Sequence, residues 1–181
     1  MKIRSAHEKA LDLYIRAKDQ NRPFLLTEAF VDQARFDLQL SEDIEFGRRA
    51  AGQRPETVAE TVAVIGAQFL DVFTTTVTES VVDASNSLAC HWLAGLVGRE
   101  EEQLFVNWGR YLFSFGPESR VRRLQVSFDG GTVLPAGSQA QTLSWLSQLP
   151  SPLCSAKELL TGIPELEALE PLRGFVGHSG T

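Results

Sequence analysis

The sequence predicts one α+β domain, with helices packed on a curved antiparallel sheet. Three observations carry this. Apolar residues recur at helical spacing in the segment before Thr74, whereas from Thr74 onward β-branched and aromatic residues fall in long runs. The runs are separated by the turn clusters Asp83-Ala84-Ser85-Asn86, Arg99 to Glu102, Gly116-Pro117-Glu118-Ser119 and Asp129-Gly130-Gly131. Such turns are too short for a parallel return, which needs about a dozen residues, so four strands in an antiparallel meander are expected. Helices first and strands afterwards place the helices on one side of the sheet.

The individual elements follow from local signals. Ser5-Ala6-His7-Glu8 has the form of a capping box, and Ala6, Ala10, Leu13, Tyr14 and Ala17 continue one apolar face from it. Pro23 suits the first position of a short second helix that buries Leu26 and Phe30, and a strand from Ala34 to Leu40 is expected next. The charged stretch from Ser41 to Arg54 reads as a surface loop. Pro55 opens the strongest helix, expected to run to about Val72 and to pack Val58, Val62, Ile65 and Phe69 on the sheet. After the strands, Leu143, Leu146 and Leu149 around Trp145 form a helix ending at Pro150, and Ser155-Ala156-Lys157-Glu158 is a second capping box. Gly174, Gly177 and Gly180 in the tail after Pro171 predict weak order there, which makes His178 a poor candidate for chemistry.

Composition bounds the function. With 181 residues, 43% of them hydrophobic and 22% charged, the chain can bury about two-thirds of its surface in one core. No stretch approaches the roughly 18 apolar residues of a membrane span, and the N-terminal segment is a charged amphipathic helix, so a cytoplasmic protein that meets no membrane is expected. A net charge of −6 argues against a nucleic-acid partner, and the local cluster Arg120, Arg122 and Arg123 reads as a solvated strand edge. Cys90 and Cys154 read as reduced thiols, and three histidines supply no metal cluster; neither a metal nor another cofactor is expected.

Several motifs resemble a known family. Tyr14-Ile15-Arg16-Ala17-Lys18-Asp19, then Asn21-Arg22-Pro23-Phe24-Leu25-Leu26 and Phe30, resemble the first helices of the NTF2-like superfamily, whose fold is also called cystatin-like. Cys90-His91-Trp92-Leu93-Ala94-Gly95, Gly109-Arg110-Tyr111, Val133-Leu134-Pro135 and Trp145-Leu146-Ser147-Gln148-Leu149-Pro150 are similar to an uncharacterised bacterial, SnoaL-like group within it. The resemblance implies a cone-shaped NTF2-like domain over residues 1–154, with a C-terminal helical extension and flexible tail over 155–181. It also implies a pocket that relatives use for isomerisation, cyclisation, dehydration or epoxide opening without a cofactor, or only for binding. Many SnoaL-like members carry a histidine near the start of the strand after the long helix, where this chain has Thr74-Thr75-Thr76 and Val77.

A cavity acid or base would be a carboxylate or imidazole held among apolar groups, and Asp32, Asp37, Glu79 and His91 are available. Asp32, just after Phe30 at a helix end, and His91, on a strand between Cys90 and Trp92, are the catalytic candidates. The expected ligand-binding residues are Tyr14, Phe30, Trp92, Trp108 and Arg110. Trp108, Arg110 and Leu112 alternate against Asn107, Gly109, Tyr111 and Phe113, so both sheet faces are apolar and each needs a cover. The N-terminal helices supply one cover; the C-terminal helices or a second subunit must supply the other, and a homodimer through the sheet is expected. Arg110 is expected to be buried and paired, with Asp32, Asp37, Glu79 or an anionic ligand. Two functions follow: a pocket for a small, largely apolar molecule, or a non-catalytic homodimeric domain whose cavity is filled.

Overall fold

The computed structural model describes residues 3–40, 55–99 and 103–178. The expected loop from Ser41 to Arg54, and Gly180, lie outside these. Helix α1 (Ser5–Asp19) and a 3-10 turn (Pro23–Glu28) lead into strand β1 (Phe30–Leu40); helix α2 (Val58–Gln68) and strand β2 (Phe69–Val77) follow. Next come β3 (Val82–Asp83), β4 (Ser87–Gly98), β5 (Leu104–Phe115) and β6 (Val121–Leu134). The chain closes with α3 (Ala136–Gln148), β7 (Leu153–Cys154), α4 (Ala156–Thr161) and α5 (Glu170–His178). This is an α+β arrangement, with strand order β1-β6-β5-β4-β2-β7 and β3 paired to β4.

The antiparallel meander is present as β2, β4, β5 and β6. The sheet as a whole is mixed, because β1 joins β6 and β7 joins β2 in parallel. Both exceptions connect strands far apart in sequence, where the short-turn argument has no force.

Several boundaries differ from the sequence expectation, each for a local reason. Ser5 makes no capping bond; instead the Arg4 backbone N–H donates to Asp83 Oδ2 at 2.8 Å, so β3 caps α1. Strand β1 begins at Phe30, placing Asp32 on a strand and not at a helix end. Helix α2 starts after a capping box made by Thr57 and Glu60, and it stops at Gln68 because Phe69 is already extended and paired with Gly98. Asp129-Gly130-Gly131 is not a turn but lies within β6, where the register with β5 breaks between Trp108 and Gly109. Gly130 is needed there: a Cβ at this position would come within 2.3 Å of the Trp108 indole.

Two apolar cores result. The first lies between α1, α2 and the concave face, with Leu11, Tyr14 and Ile15 of α1 fully buried and Glu8, Lys9 and Arg16 on its exposed side. The second lies under α3, α4 and α5 on part of the opposite face, around Leu93, Val106, Trp108 and Trp145. The tail expected to be weakly ordered is helix α5, because Leu172 and Val176, one turn apart, are both buried in this second core. Gly174 and Gly177 face open space and do not disturb the packing.

Leu172→Ala is expected to destabilise the protein by about 2–5 kcal/mol in urea unfolding, the range for truncating a fully buried leucine. A loss under about 0.5 kcal/mol would mean that α5 is not docked. Burial alone would raise the Asp83 carboxyl pKa, but the Arg4 N–H and His7, whose Nδ1 lies 2.6 Å away, hold it below the usual value. A depressed carboxylate stabilises the fold above its unfolded pKa of about 3.9, and this is lost as pH falls through the lower folded value. The stability gap between wild type and Asp83→Asn should therefore be full at neutral pH and close as the pH falls below the ordinary carboxylate range.

Candidate functional site

A cavity opens between α1, α2 and the concave face, with a free volume of about 70 Å³. Tyr14 comes from α1, Ile65 from α2, Phe36 from β1, Trp92 from β4, Tyr111 from β5 and Phe128 from β6. Strand alternation sends Trp92, Ala94 and Leu96 to this side together, since residues two apart share a face. Aromatic contacts stiffen the wall. Trp92 stacks on Tyr111 with ring centroids 5.3 Å apart, Phe128 meets Trp92 edge-on at 4.8 Å, and Tyr14 meets Tyr111 edge-on at 5.4 Å.

The polar groups here are mostly satisfied. Tyr14 and Tyr111 share a hydrogen bond between their hydroxyls, and burial raises both phenols above their ordinary pKa, so they remain protonated. Lys18, which also lines the cavity, sets its ammonium 2.6 Å from Asp19 Oδ1 and donates to Thr74 Oγ1. Asp19 further accepts the Thr74 backbone N–H at 2.7 Å and the Thr74 hydroxyl at 2.8 Å. Thr75 and Thr76 donate their hydroxyls to the Pro150 and Pro152 carbonyls, each at 2.6 Å. The threonine run thus fastens β2 to α1 and to the segment before β7. Burial pushes the Cys90 thiol up to about 12, so it is no nucleophile at neutral pH.

Of the residues expected to bind a ligand, the structure brings Tyr14 and Trp92 to the cavity. Phe30 packs behind Tyr14 and Phe113 in the core and does not line it. Trp108 points to the opposite face and is buried under the C-terminal helices. Arg110 is not buried: its side chain is 63% exposed and pairs with Asp129 at 2.8 Å, not with Asp32, Asp37 or Glu79. Asp129 lies two residues beyond Ser127, the cross-strand partner of Arg110, and so reaches it as a diagonal neighbour once the β5–β6 register is set.

The acid-base candidates are also elsewhere. Asp32 is exposed on β1. His91 sits on the face away from the cavity with Phe175 over it at 4.7 Å; burial first, and then the nearby Arg110 charge, lower its pKa. Asp37 accepts from Arg35 and Arg123, and Glu79 accepts the Ala156 backbone N–H. In the basic cluster, Arg123 pairs with Asp37 and Arg120 donates to the Thr27 and Phe30 carbonyls. The cover that the sequence left open between helices and a second subunit is supplied, over the second core, by α3, α4 and α5. Among the described residues, no group of His, Cys, Asp or Glu could hold a metal, and no helix is long and apolar enough to cross a membrane.

Sequence reasoning missed Phe36, Ile65 as a cavity residue, Phe128 and the Lys18–Asp19–Thr74 cluster. Phe36 and Leu38 alternate on β1, and Val126 and Phe128 on β6, so each pair could have been assigned to one face.

No protein-family model and no curated protein matches the chain. Solved structures with the same arrangement do. A protein with a ketosteroid isomerase-like fold from Catenulispora acidiphila, in complex with trimethylamine, superposes with a TM-score of 0.51 at 12% identity, covering 69% of this chain and 85% of its own. SalBIII, an epoxide hydrolase/cyclase-like enzyme of pyran ring formation in the polyether salinomycin, gives a TM-score of 0.52 at 12% identity, covering 71% and 95%. The Kfla4162 protein from Kribbella flavida gives 0.50 at 13% identity, covering 71% and 93%. At these identities the likeness concerns the fold.

Arg110→Leu should change stability by less than about 1 kcal/mol, because an exposed ion pair contributes little. A loss of 3 kcal/mol or more in thermal or urea unfolding would show the guanidinium to be buried, as leaving a buried acid unpaired costs about that much.

Proposed function

We propose that this NTF2-like domain binds a small, largely apolar molecule in the cavity between α1, α2 and the concave face of the sheet. The observation that carries the reading is the cavity wall, with the rings of Tyr14, Phe36, Trp92, Tyr111 and Phe128 around a free volume of about 70 Å³. Apolar cavities of about 150 Å³ take up benzene, so this one suits a ligand of a few heavy atoms, or a single ring once Ile65 and its neighbours give way.

Binding without proton transfer is the better-supported form. Of the groups at the wall that could move a proton, the phenols are kept neutral by burial, and Lys18 is engaged by Asp19 at 2.6 Å. Asp32 and His91 do not reach the cavity. The named relatives include an enzyme, but the likeness extends to the fold and not to the reacting groups.

Titration of the protein with benzene, followed by methyl NMR of Ile65, Leu38 and Val126, should give saturable shifts. Ala94→Leu, which fills the cavity from β4, should abolish them while far-UV circular dichroism stays unchanged. An absence of saturable shifts in the wild type, together with a dimer in sedimentation equilibrium at micromolar concentration, would favour the second reading, a non-catalytic homodimer with a filled cavity. That reading draws on Leu112, which is 38% exposed on the part of the sheet that the C-terminal helices leave uncovered.

A further inference from the structure

We propose a second binding site on the outer face of the sheet, in the groove between β6 and α5, for a neutral planar ring that carries a hydrogen-bond acceptor and donor side by side, as a cyclic amide does. It lies across the sheet from the cavity and does not depend on it. Strand β6 supplies Asp129, Gly130 and Gly131, α5 supplies Pro171 and Phe175, and Trp108 of β5 lies at the floor.

The groove is open because of Gly130. Trp108 lies opposite Gly130 in the β5–β6 ladder, and opposed residues share a face. The C-terminal helices bury the Trp108 ring in the second core, leaving it 4% exposed. A Cβ on Gly130 would come within 2.5 Å of Trp108 Nε1 and 2.3 Å of Cε2 and Cζ2, so what the glycine leaves uncovered is the N–H edge of the indole. That donor has no acceptor. Trp145 donates its indole N–H to the Leu159 carbonyl, and Trp92 Nε1 is sealed inside the protein. Trp108 Nε1 donates to none of the described residues and is not among the sealed atoms, so it opens on the groove. A donor on a ring so deeply buried is satisfied only by what enters there.

An acceptor stands next to it in the chain. Asp129 gives Oδ2 to Arg110 Nε at 2.8 Å, which leaves Oδ1 without a partner among the described residues. The two groups together select the ligand by exclusion. A cation would face the positive end of the indole N–H and a carboxylate already matched by Arg110, and an anion would face that carboxylate. A cyclic amide meets both: its carbonyl oxygen accepts from Trp108, its N–H donates to Asp129 Oδ1, and Phe175 and Pro171 border its ring.

The test titrates the intact chain with 2-pyridone and with its N-methyl derivative, which keeps the ring and the carbonyl but has no N–H. 15N-resolved NMR follows the indole N–H groups of the 3 tryptophans. 2-Pyridone should move one indole resonance downfield and saturably, the one missing in Trp108→Phe. It should bind about tenfold more tightly than the N-methyl compound, the ratio that one hydrogen bond supplies. In Asp129→Ala, which removes only a half-exposed ion pair, the two compounds should bind equally, with 2-pyridone weakened to the level of its derivative. If Trp108→Phe does not fold, the wild-type indole shift and the Asp129→Ala comparison decide. Stationary indole resonances, or shifts confined to the methyls of Ile65, Leu38 and Val126 at the cavity, would overturn the site. Equal affinities in the wild type, or a preference that survives in Asp129→Ala, would overturn the role of the carboxylate and with it the amide assignment.

Discussion

The pairing of β4 with β5, and of β5 with β6, governs what every side chain of interest can touch. Opposed residues on neighbouring strands share a face, so once Trp92 is set against Gly109 the neighbours follow: Cys90 and Tyr111 to the concave side, His91 and Arg110 to the other. A slip of one residue would exchange the two sets. The β5–β6 register breaks at two places, between Trp108 and Gly109 and between Ser114 and Phe115. At the break opposite Trp108 and Gly109, Asp129 is the extra residue of β6 and pairs with Arg110, while Phe128 before it keeps the alternation of Val126 and stays in the cavity wall.

Both faces of this sheet are apolar over much of their area, and the chain covers each from its own length. On the concave side the cover is incomplete, since α1 and α2 approach the sheet without filling the space between them, and the cavity is what remains. On the opposite side α3, α4 and α5 close over Leu93, Val106 and Trp108. Beyond them the face turns polar and is left to solvent, with Arg110, Arg123 and Asp37 in exposed or half-exposed ion pairs. The hydrogen bonds of Thr74, Thr75 and Thr76 run to both sides of this layering, tying β2 to α1 through Asp19 and to the segment after α3 through the Pro150 and Pro152 carbonyls.

This arrangement gives the cavity its chemical character. Its ionisable groups are either neutral by burial, as in Tyr14 and Tyr111, or neutralised by a neighbour, as in Lys18 beside Asp19. Low-dielectric surroundings make such a wall costly for a charge and sensitive to any unmatched donor. The fold is shared with proteins of different activity, so the chemistry has to be read from these particular side chains.

The sequence by itself determined the local structure and the class. Helical spacing through α1 and α2, the capping box at Ser155, the turns at Asp83 to Asn86 and at Gly116 to Ser119, and the β-branched runs are signals within a few residues of one another, and they yield an α+β domain with an antiparallel meander. The resemblance of its opening and central motifs pointed to the NTF2-like fold, and two of five expected ligand-binding residues, Tyr14 and Trp92, do line the cavity. What only the tertiary structure decided were relations between distant segments: the parallel docking of β1 on β6, the capping of α1 by Asp83, the burial of α5 and the pairing of Arg110 with Asp129. Arg110 shows why. Its neighbours Trp108 and Leu112 share its strand face, and alternation alone assigns all three the same environment. The helices that bury Trp108 end before they reach Arg110, and how far a helix extends over a sheet is set by packing between segments that no local pattern encodes.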